Sequence, residues 1–249
     1  MYISISYGIY ECSNFQDGWT AFHLAAREGD VKILATLLMN NPRLAKTFSK
    51  NGRSPLHTAC LHGRTEAVQL ILNASPDLAL SKDSCGSLPI LEAVKGGHNE
   101  ILNNLVNIDP KSMYVQDMMG RHCLHMAAQS GHQSLLEHLV SHHGMDPNDP
   151  CSPTSPLHWA AKEGQAKAIS ELLKLGANPS ATDSANRIPL TLAIGGQHVE
   201  AADVLIKQDP KKPFDLTVLH LARSAPMKDL LTNTFQTQWN LTLFLPGTH

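Results

Sequence analysis

The 249-residue chain has few aromatic residues, no large excess of charge of either sign and no long apolar run. The formal net charge is -2, so binding of nucleic acid through bulk charge is not expected. No segment approaches the roughly 20 apolar residues that span a bilayer. Residues 1–14 lack the basic and apolar regions of a secretory signal. With 42% hydrophobic residues the chain is too apolar for disorder, and we expect a soluble protein with a packed core.

Cysteine is also scarce and shows no recognisable spacing. The five cysteines form an odd number and are scattered along the chain, so they match neither a disulfide framework nor a zinc site. A reducing compartment is the setting in which such cysteines remain free. We therefore expect a cytoplasmic, intracellular protein.

One seven-residue pattern recurs at an almost constant interval. Its fourth positions are spaced by 34, 34, 34, 33 and 33 residues, and a further copy follows after 29. The segments are TAFHLAA (20–26), SPLHTAC (54–60), LPILEAV (88–94), HCLHMAA (122–128), SPLHWAA (155–161), IPLTLAI (188–194) and TVLHLAR (217–223). A fixed period of this length predicts stacked units, each of which buries its apolar side only against its neighbours.

The residues around each segment predict a turn followed by two helices. A Gly-containing turn precedes a Ser or Thr at the helix N-cap, and Pro often occupies the first helical position, where no N–H is needed. Another Gly ends the first helix with the left-handed conformation of a C-cap. A second helix with paired apolar residues follows, such as Leu37–Leu38 and Leu172–Leu173.

This pattern resembles the ankyrin repeat family. The motif T-P-L-H-x-A-A-x-x-G followed by a Leu-Leu helix recurs six times over about 200 residues, and SPLHWAAKEGQAKAISELLKLGANPSA (155–181) resembles it most strongly. The resemblance implies an all-α fold, an ankyrin-repeat solenoid in which β-turn plus helix–turn–helix units stack in a curved array. It also implies that the motif histidines have a structural role and that partners dock on the concave side.

The resemblance divides the chain into three parts. Residues 1–14 are an N-terminal cap or extension. Six repeats occupy 15–211, at about 15–48, 49–82, 83–116, 117–149, 150–182 and 183–211. Residues 212–249 begin a shortened seventh repeat, with Pro213 and Pro226 limiting its helices, and form either a C-terminal cap or the start of a further domain.

Several repeats depart from the family pattern. Leu91 and Thr191 replace the motif histidine, so a hydrogen bond at the helix start is missing there. Pro153 and Asn186 replace the turn glycine, and Asn tolerates the left-handed conformation. Gln197 stands where the first helix of the sixth repeat would end in Gly.

The residues show no pattern of a catalytic, metal or cofactor site. His138 and His142 are four residues apart on a helix, but no HExxH, CxxC or acidic ligand cluster accompanies them, which favours a solvated helix end. Cys60 and Cys123 adjoin the small-residue helix, where Cys packs as a small apolar side chain. Trp159 is expected to pack against the adjacent repeat. We therefore predict a protein that is not an enzyme and holds no metal or cofactor.

Function is then expected on the turn tips and the exposed ends of the first helices. Over thirty such positions there are seven basic and three acidic residues, whereas the whole chain is acidic. Arg53, Arg121 and Arg187 share one column, and such arginines could form bidentate contacts with acidic groups. The predicted partner-binding residues are Trp19, Arg27, Lys50, Arg53, Leu61, His62, Lys95, Met118, Met119, Arg121, Gln129, Lys162 and Arg187.

The predicted function is a protein–protein interaction module, a scaffold, adaptor or inhibitor, that binds a protein with acidic groups on its concave face. One alternative is the targeting arm of a larger enzyme, or of a bacterial effector delivered into the host cytosol. Nucleic-acid binding is not expected, because stacking aromatics are few and the pI is near 6.7. Neither membrane insertion nor a small-molecule cofactor is expected.

Overall fold

A computed structural model describes residues 17–149, 154–208 and 220–243, and side chains as far as residue 234. The chain divides into two compact units, unit 1 at Met1–Met119 and unit 2 at Gly120–His249. Within the described ranges the regular structure is helical, with thirteen α-helices and no strand. The all-α fold class predicted from the repeats is therefore confirmed.

Unit 1 consists of three pairs of α-helices, and each pair is followed by one 3₁₀ segment. The α-helices are α1 Ala21–Glu28, α2 Val31–Asn40, α3 Pro55–Leu61, α4 Thr65–Ala74, α5 Pro89–Gly96 and α6 Asn99–Ile108. The 3₁₀ segments are Pro42–Lys46, Pro76–Leu80 and Pro110–Tyr114. Each 3₁₀ segment begins with Pro, which supplies the φ of a helical first position and ends the preceding helix.

The first two short helices begin at hydroxyl caps, as predicted. Thr20 and Ser54 accept hydrogen bonds from the backbone N–H three residues later, and the histidine at that position bonds back to the cap. The third repeat differs, because its N-cap is Leu88 and makes no side-chain cap bond. Leu88 and Leu91 are both buried there, so an apolar pair replaces the polar cap and its histidine.

The core of unit 1 lies between successive repeats. The short helices α1, α3 and α5 pack in sequence, and α2, α4 and α6 form a second layer beside them. Phe22, Leu34, Leu56, Ile71 and Ile90 have no exposed surface. Burying one such side chain contributes about 1.5–3 kcal/mol, so most of the stability arises at contacts between neighbours.

Successive turns in unit 1 lie side by side and are joined by backbone hydrogen bonds. Lys50 N–H donates to Asp17 O, and Ser84 N–H donates to Asn51 O, each at 2.9 Å. Gly52 has a φ of +68°, and a Cβ added there would lie 3.0 Å from the Ser84 nitrogen. The turn therefore requires glycine both for its conformation and for the close approach of the next turn.

Unit 2 continues the pattern with three further helix pairs and one longer terminal helix. These are α7 Cys123–Ser130, α8 Gln133–Ser141, α9 Pro156–Lys162, α10 Ala166–Lys174, α11 Pro189–Gly195, α12 Val199–Gln208 and α13 Ala225–Leu243. The short helices α7, α9 and α11 pack in sequence, and α8, α10 and α12 do the same. The N-caps are His122, Ser155 and Ile188, so the predicted Ser or Thr is present in only one of the three repeats.

Two left-handed residues replace glycine in unit 2. Asn186 has a φ of 57°, as predicted for the turn, and Gln197 has a φ of 62° at the end of the first helix. The Gln197 amide donates to Leu221 O at 2.7 Å, and its oxygen accepts from Arg223 N and Ser224 N. One side chain thus connects the sixth repeat to the segment that leads into α13.

The region assigned to a shortened seventh repeat is described only in part. His220 is exposed, unlike the buried motif histidines, and lies in a single 3₁₀ turn at residues 220–221. Pro226 does not limit a helix, because it lies in the first turn of α13, where Pro is tolerated. Pro213, Pro153 and the predicted cap at residues 1–14 lie outside the described residues.

Across the described ranges, no helix combines the length and apolar character needed to cross a membrane.

Candidate functional site

Four of the motif histidines each connect their own repeat to the next repeat of the same unit. In four repeats the ring Nε2–H donates to the backbone carbonyl at the tip of the following turn. The pairs are His23 to Arg53 O at 3.0 Å, His57 to Ser87 O at 3.0 Å, His125 to Thr154 O at 2.8 Å and His158 to Arg187 O at 2.9 Å. The other ring nitrogen, Nδ1, lies 2.9 Å from the cap hydroxyl in the first two repeats and 2.7 Å from Ser155 Oγ.

These histidines are fully buried. Burial is the main cause that lowers the pKa of His23 and His158, and it lowers that of His57 to about 4. A carbonyl only accepts, so Nε2 carries the proton and Nδ1 is the acceptor. The arrangement is structural, because both ring nitrogens are engaged and no surface is open to a substrate.

A second set of inter-repeat bonds, which the sequence analysis missed, lies at the start of the second helices. His98 Nε2–H donates to Leu61 O at 3.1 Å, and His198 Nε2–H donates to Lys162 O at 2.9 Å. Arg64 Nε donates to Arg27 O at 2.9 Å from the equivalent position. The signal in the sequence is a side chain with a nitrogen donor just before the second helix, as at Arg64, His98 and His198, whereas the first repeat has Asp30 there. The donor type varies, so the column is not apparent as a motif.

The histidines near the end of α8 lie close to one another. The His138 ring centroid lies 4.6 Å from that of His142 and 5.0 Å from that of His143. Burial and the two neighbouring rings lower the pKa of His138. Among the side chains that the structure describes, no group of three His, Cys, Asp or Glu is arranged to hold a metal ion.

Two of the cysteines are buried and unsuited to nucleophilic chemistry. Cys60 and Cys123 have no exposed surface, and burial raises the pKa of both thiols. A thiol with a raised pKa stays protonated, whereas nucleophilic attack requires the thiolate. Their predicted role as small apolar side chains is confirmed. Cys85 is free and exposed in a turn.

Arg53 belongs to a buried ion cluster. Its Nη2 donates to Glu92 Oε1 at 2.7 Å, and its Nε lies 3.4 Å from Asp83 Oδ2. The Glu92 and Asp83 side chains are only 3% and 2% exposed, and that of Arg53 is 30% exposed. The expectation of a freely exposed tip arginine is therefore corrected here, because this guanidinium compensates two buried carboxylates.

The other two column arginines are also engaged within their own unit. Arg187 Nη2 lies 2.8 Å from Asp183 Oδ2, and its side chain remains 52% exposed. Arg121 donates to Gln129 Oε1, and its guanidinium carbon lies 5.3 Å from the centroid of the Trp159 ring. Reversing these charges would alter internal contacts as well as the surface. The use of these arginines by a partner stays a prediction.

The remaining predicted residues differ in exposure. Met118 and Met119 are 79% and 56% exposed at the last turn of unit 1. Trp19 is half-buried, because its ring packs 5.9 Å from the His23 ring. Leu61 and Gln129 are also half-buried, and the exposed residues are Arg27, Lys50, His62, Lys95 and Lys162. We call Arg27, Lys50, Lys95, Met118 and Met119 the tip surface of unit 1.

Comparison with known proteins identifies the family that this geometry indicates. The family model described as "Ankyrin repeats (3 copies)" matches residues 3–83, 90–183 and 157–232. The chain belongs to the ankyrin repeat family, whose repeats are generally protein–protein interaction modules.

Solved structures agree on the fold. The ankyrin repeat domain of human ASB11 superposes with a TM-score of 0.70 at 22% identity, over 87% of this chain and 98% of that chain. The ankyrin repeat domain of Bcl-3, described as a unique member of the IkappaB protein family, superposes with a TM-score of 0.60 at 23% identity, over 87% of this chain and 100% of that one. At this identity the likeness defines the ankyrin-repeat solenoid fold.

Proposed function

We propose that this chain is a non-enzymatic protein-binding module, a scaffold, adaptor or inhibitor, whose partner docks on the turn tips and first-helix ends that form the concave side. The single observation that carries the proposal is the pair Met118 and Met119, large apolar side chains exposed at the tip surface of unit 1. Methionine is enriched at interfaces, where its flexible thioether adapts to varied partners.

The residues that join the repeats differ from the exposed residues at the tips, and this difference supports the proposal. The motif histidines, the turn glycines and the buried carboxylates all hold repeats together. Tip and helix-end side chains such as Arg27, Lys50 and Lys95 are exposed, so a partner can reach them. The basic residues at these positions, such as Lys50, Lys95 and Lys162, favour a partner that carries acidic groups.

A matched pair of variants tests the proposal. A Met118→Ser/Met119→Ser variant and a Met39→Ser variant each remove apolar surface, but Met39 is 85% exposed at the end of α2, away from the turns. Proteins captured from cell lysate by the wild type are identified by mass spectrometry, and the direct partner is then purified. We expect the double variant to bind that partner at least tenfold more weakly, and Met39→Ser to bind it as the wild type does.

Circular dichroism and urea unfolding provide the controls for folding. If the purified partner binds the Met118/Met119 variant with unchanged affinity, the tip surface of unit 1 is not the docking site. Weaker binding by Met39→Ser alone would place the interface on the second helices instead.

We also propose an intracellular, cytoplasmic location. The free thiol of Cys85 is exposed, and Cys60 and Cys123 are free as well, which suits a reducing compartment. Cell fractionation of the natural source, with thiol labelling of Cys85 before lysis and after it, tests this location. Recovery of Cys85 in a mixed disulfide from an oxidising compartment would overturn it.

A further inference from the structure

Trp159 in α9 has two cationic side chains over its ring. Lys162 Nζ, from one turn later in the same helix, lies 4.8 Å from the ring centroid, and the Arg121 guanidinium carbon lies 5.3 Å from it. Both distances are within the range of cation–π attraction. Trp159 is only 7% exposed, whereas Lys162 is exposed.

The indole nitrogen of Trp159 is buried and has no hydrogen-bond partner among the described residues. A buried donor without an acceptor is unusual, because it loses its bond to water and gains nothing in return. The unmet donor and the two cations together offer what one acceptor with negative charge requires.

Gln129 and Glu163 set the charge and orientation of this cluster. The Gln129 oxygen accepts from Arg121, and its amide donates to Glu163 Oε1 at 3.2 Å. Glu163 thus joins the hydrogen-bonded group through Gln129, and the two cations Arg121 and Lys162 remain at the Trp159 ring. A cationic pair of this kind attracts a carboxylate.

We propose that Arg121, Trp159 and Lys162 form a binding site for a carboxylate side chain of an acidic, extended peptide segment of the partner. The carboxylate accepts from the indole N–H and from the guanidinium, and the Lys162 ammonium covers it from the solvent side. This site rests on the proposed function and specifies the partner's chemistry in unit 2. Nucleic acid is not the ligand favoured, because the chain as a whole carries a net charge of -2.

The test follows the indole N–H directly. Protein labelled with ¹⁵N-tryptophan is titrated with a capped hexaglutamate peptide, and capped hexaglutamine is the neutral control. Trp159→Phe identifies the Trp159 indole signal, because it removes that N–H and keeps an aromatic ring. We expect hexaglutamate, and not hexaglutamine, to shift this signal downfield as the N–H gains an acceptor.

The affinities of variants for hexaglutamate distinguish binding at this site from non-specific attraction between opposite charges. We expect Trp159→Phe and Lys162→Gln each to weaken hexaglutamate binding by about tenfold, as for loss of one bond to a charged group. Lys167→Gln, which removes an exposed lysine on α10 in the same unit, should change it less than about twofold. Lys162 is exposed, so Lys162→Gln remains informative if Trp159→Phe folds poorly.

Two results would overturn the site. One is saturable binding of hexaglutamate that leaves the Trp159 indole signal and the Lys162→Gln affinity unchanged. The other is that hexaglutamate and hexaglutamine bind with equal affinity, or that neither peptide binds. Neither result bears on the proposed protein-binding function, which the Met118 and Met119 variant tests separately. Failure of this site can therefore be distinguished from failure of the proposed function.

Discussion

The motif histidines make stability depend on pH. The pKa of His57 in the folded protein is about 4, against 6.5 for an exposed histidine, because burial disfavours its charged form. Between these values the unfolded chain binds more protons than the folded chain, so the free energy of unfolding falls as the pH falls from 6.5 to 4. The full contribution is present above pH 6.5, and about 3 kcal/mol is lost by pH 4.

Replacing His57 with leucine should reduce this dependence. Leu91 occupies the equivalent position in the third repeat, so the change has a precedent in the same chain. We expect His57→Leu to be less stable at pH 7.5 by about 1–3 kcal/mol, because Ser87 O loses its donor. Between pH 7.5 and 5 the variant should lose about 2 kcal/mol less than the wild type. Urea unfolding at both pH values measures this, and equal losses would contradict the assignment.

Arg53 is predicted to matter for stability as well as charge. Arg53→Met removes the guanidinium from two buried carboxylates, and we expect a loss of about 2–3 kcal/mol in the free energy of unfolding. Arg187→Met is the matched control, since its more exposed pair with Asp183 should contribute below about 1 kcal/mol. Urea unfolding at pH 7.5 compares the two variants.

A double variant completes the cycle. Arg53→Met/Glu92→Leu also removes one of the buried carboxylates, so it should recover most of the stability lost by Arg53→Met. If Arg53→Met proves as mild as Arg187→Met, the cluster around Glu92 does not depend on this arginine.

At the scale of the helix, the sequence predicted the two helices of each repeat but not the N-caps that depart from the motif. The apolar pairs and glycine stops predicted the two helices of each repeat, because hydrophobic periodicity and C-cap conformation are local properties. The N-caps Leu88, His122 and Ile188 were not predicted, because the motif predicts a Ser or Thr hydroxyl at that position and none of these residues has one. Long-range pairs such as Arg53 with Glu92 leave no local signal.

Gln197 shows how an exception can hold an element in place. In a left-handed position the sequence favours glycine, yet this side chain bonds to Leu221, Arg223 and Ser224 ahead of α13. We expect Gln197→Gly to relieve backbone strain of about 1 kcal/mol while releasing those bonds. Hydrogen exchange in residues 225–234 should then accelerate, with exchange in α9 and α10 unchanged.

Unchanged hydrogen exchange in residues 225–234 would contradict this role for Gln197. If α13 keeps its protection in Gln197→Gly, its packing against α12 holds it without the side chain. The glycine variant is the appropriate control for strain, because any loss of protection then arises from the missing amide.

At the scale of the whole molecule, the repeat spacing was sufficient to predict the family and fold. The motif segment and the apolar pairs recur at an almost constant interval, so several weak matches in register together give strong evidence. The candidate site was predicted only as a set of exposed positions. For Arg53 the internal partner Asp83 lies thirty residues away, so spacing within one repeat does not reveal it. Arg187 and Asp183 are only four residues apart, but their spacing does not by itself predict an ion pair.

The bond from each motif histidine to the next turn has a consequence for protein engineering. The acceptor is a backbone carbonyl, at Arg53, Ser87, Thr154 and Arg187, and every amino acid supplies one. These hydrogen bonds therefore do not depend on which side chain the tip residue carries. The tip side chains can be changed to give new binding specificities while the bonds between repeats are kept. Position 53 differs, because its side chain pairs with the buried Glu92 and Asp83, so a randomised library would keep that arginine fixed.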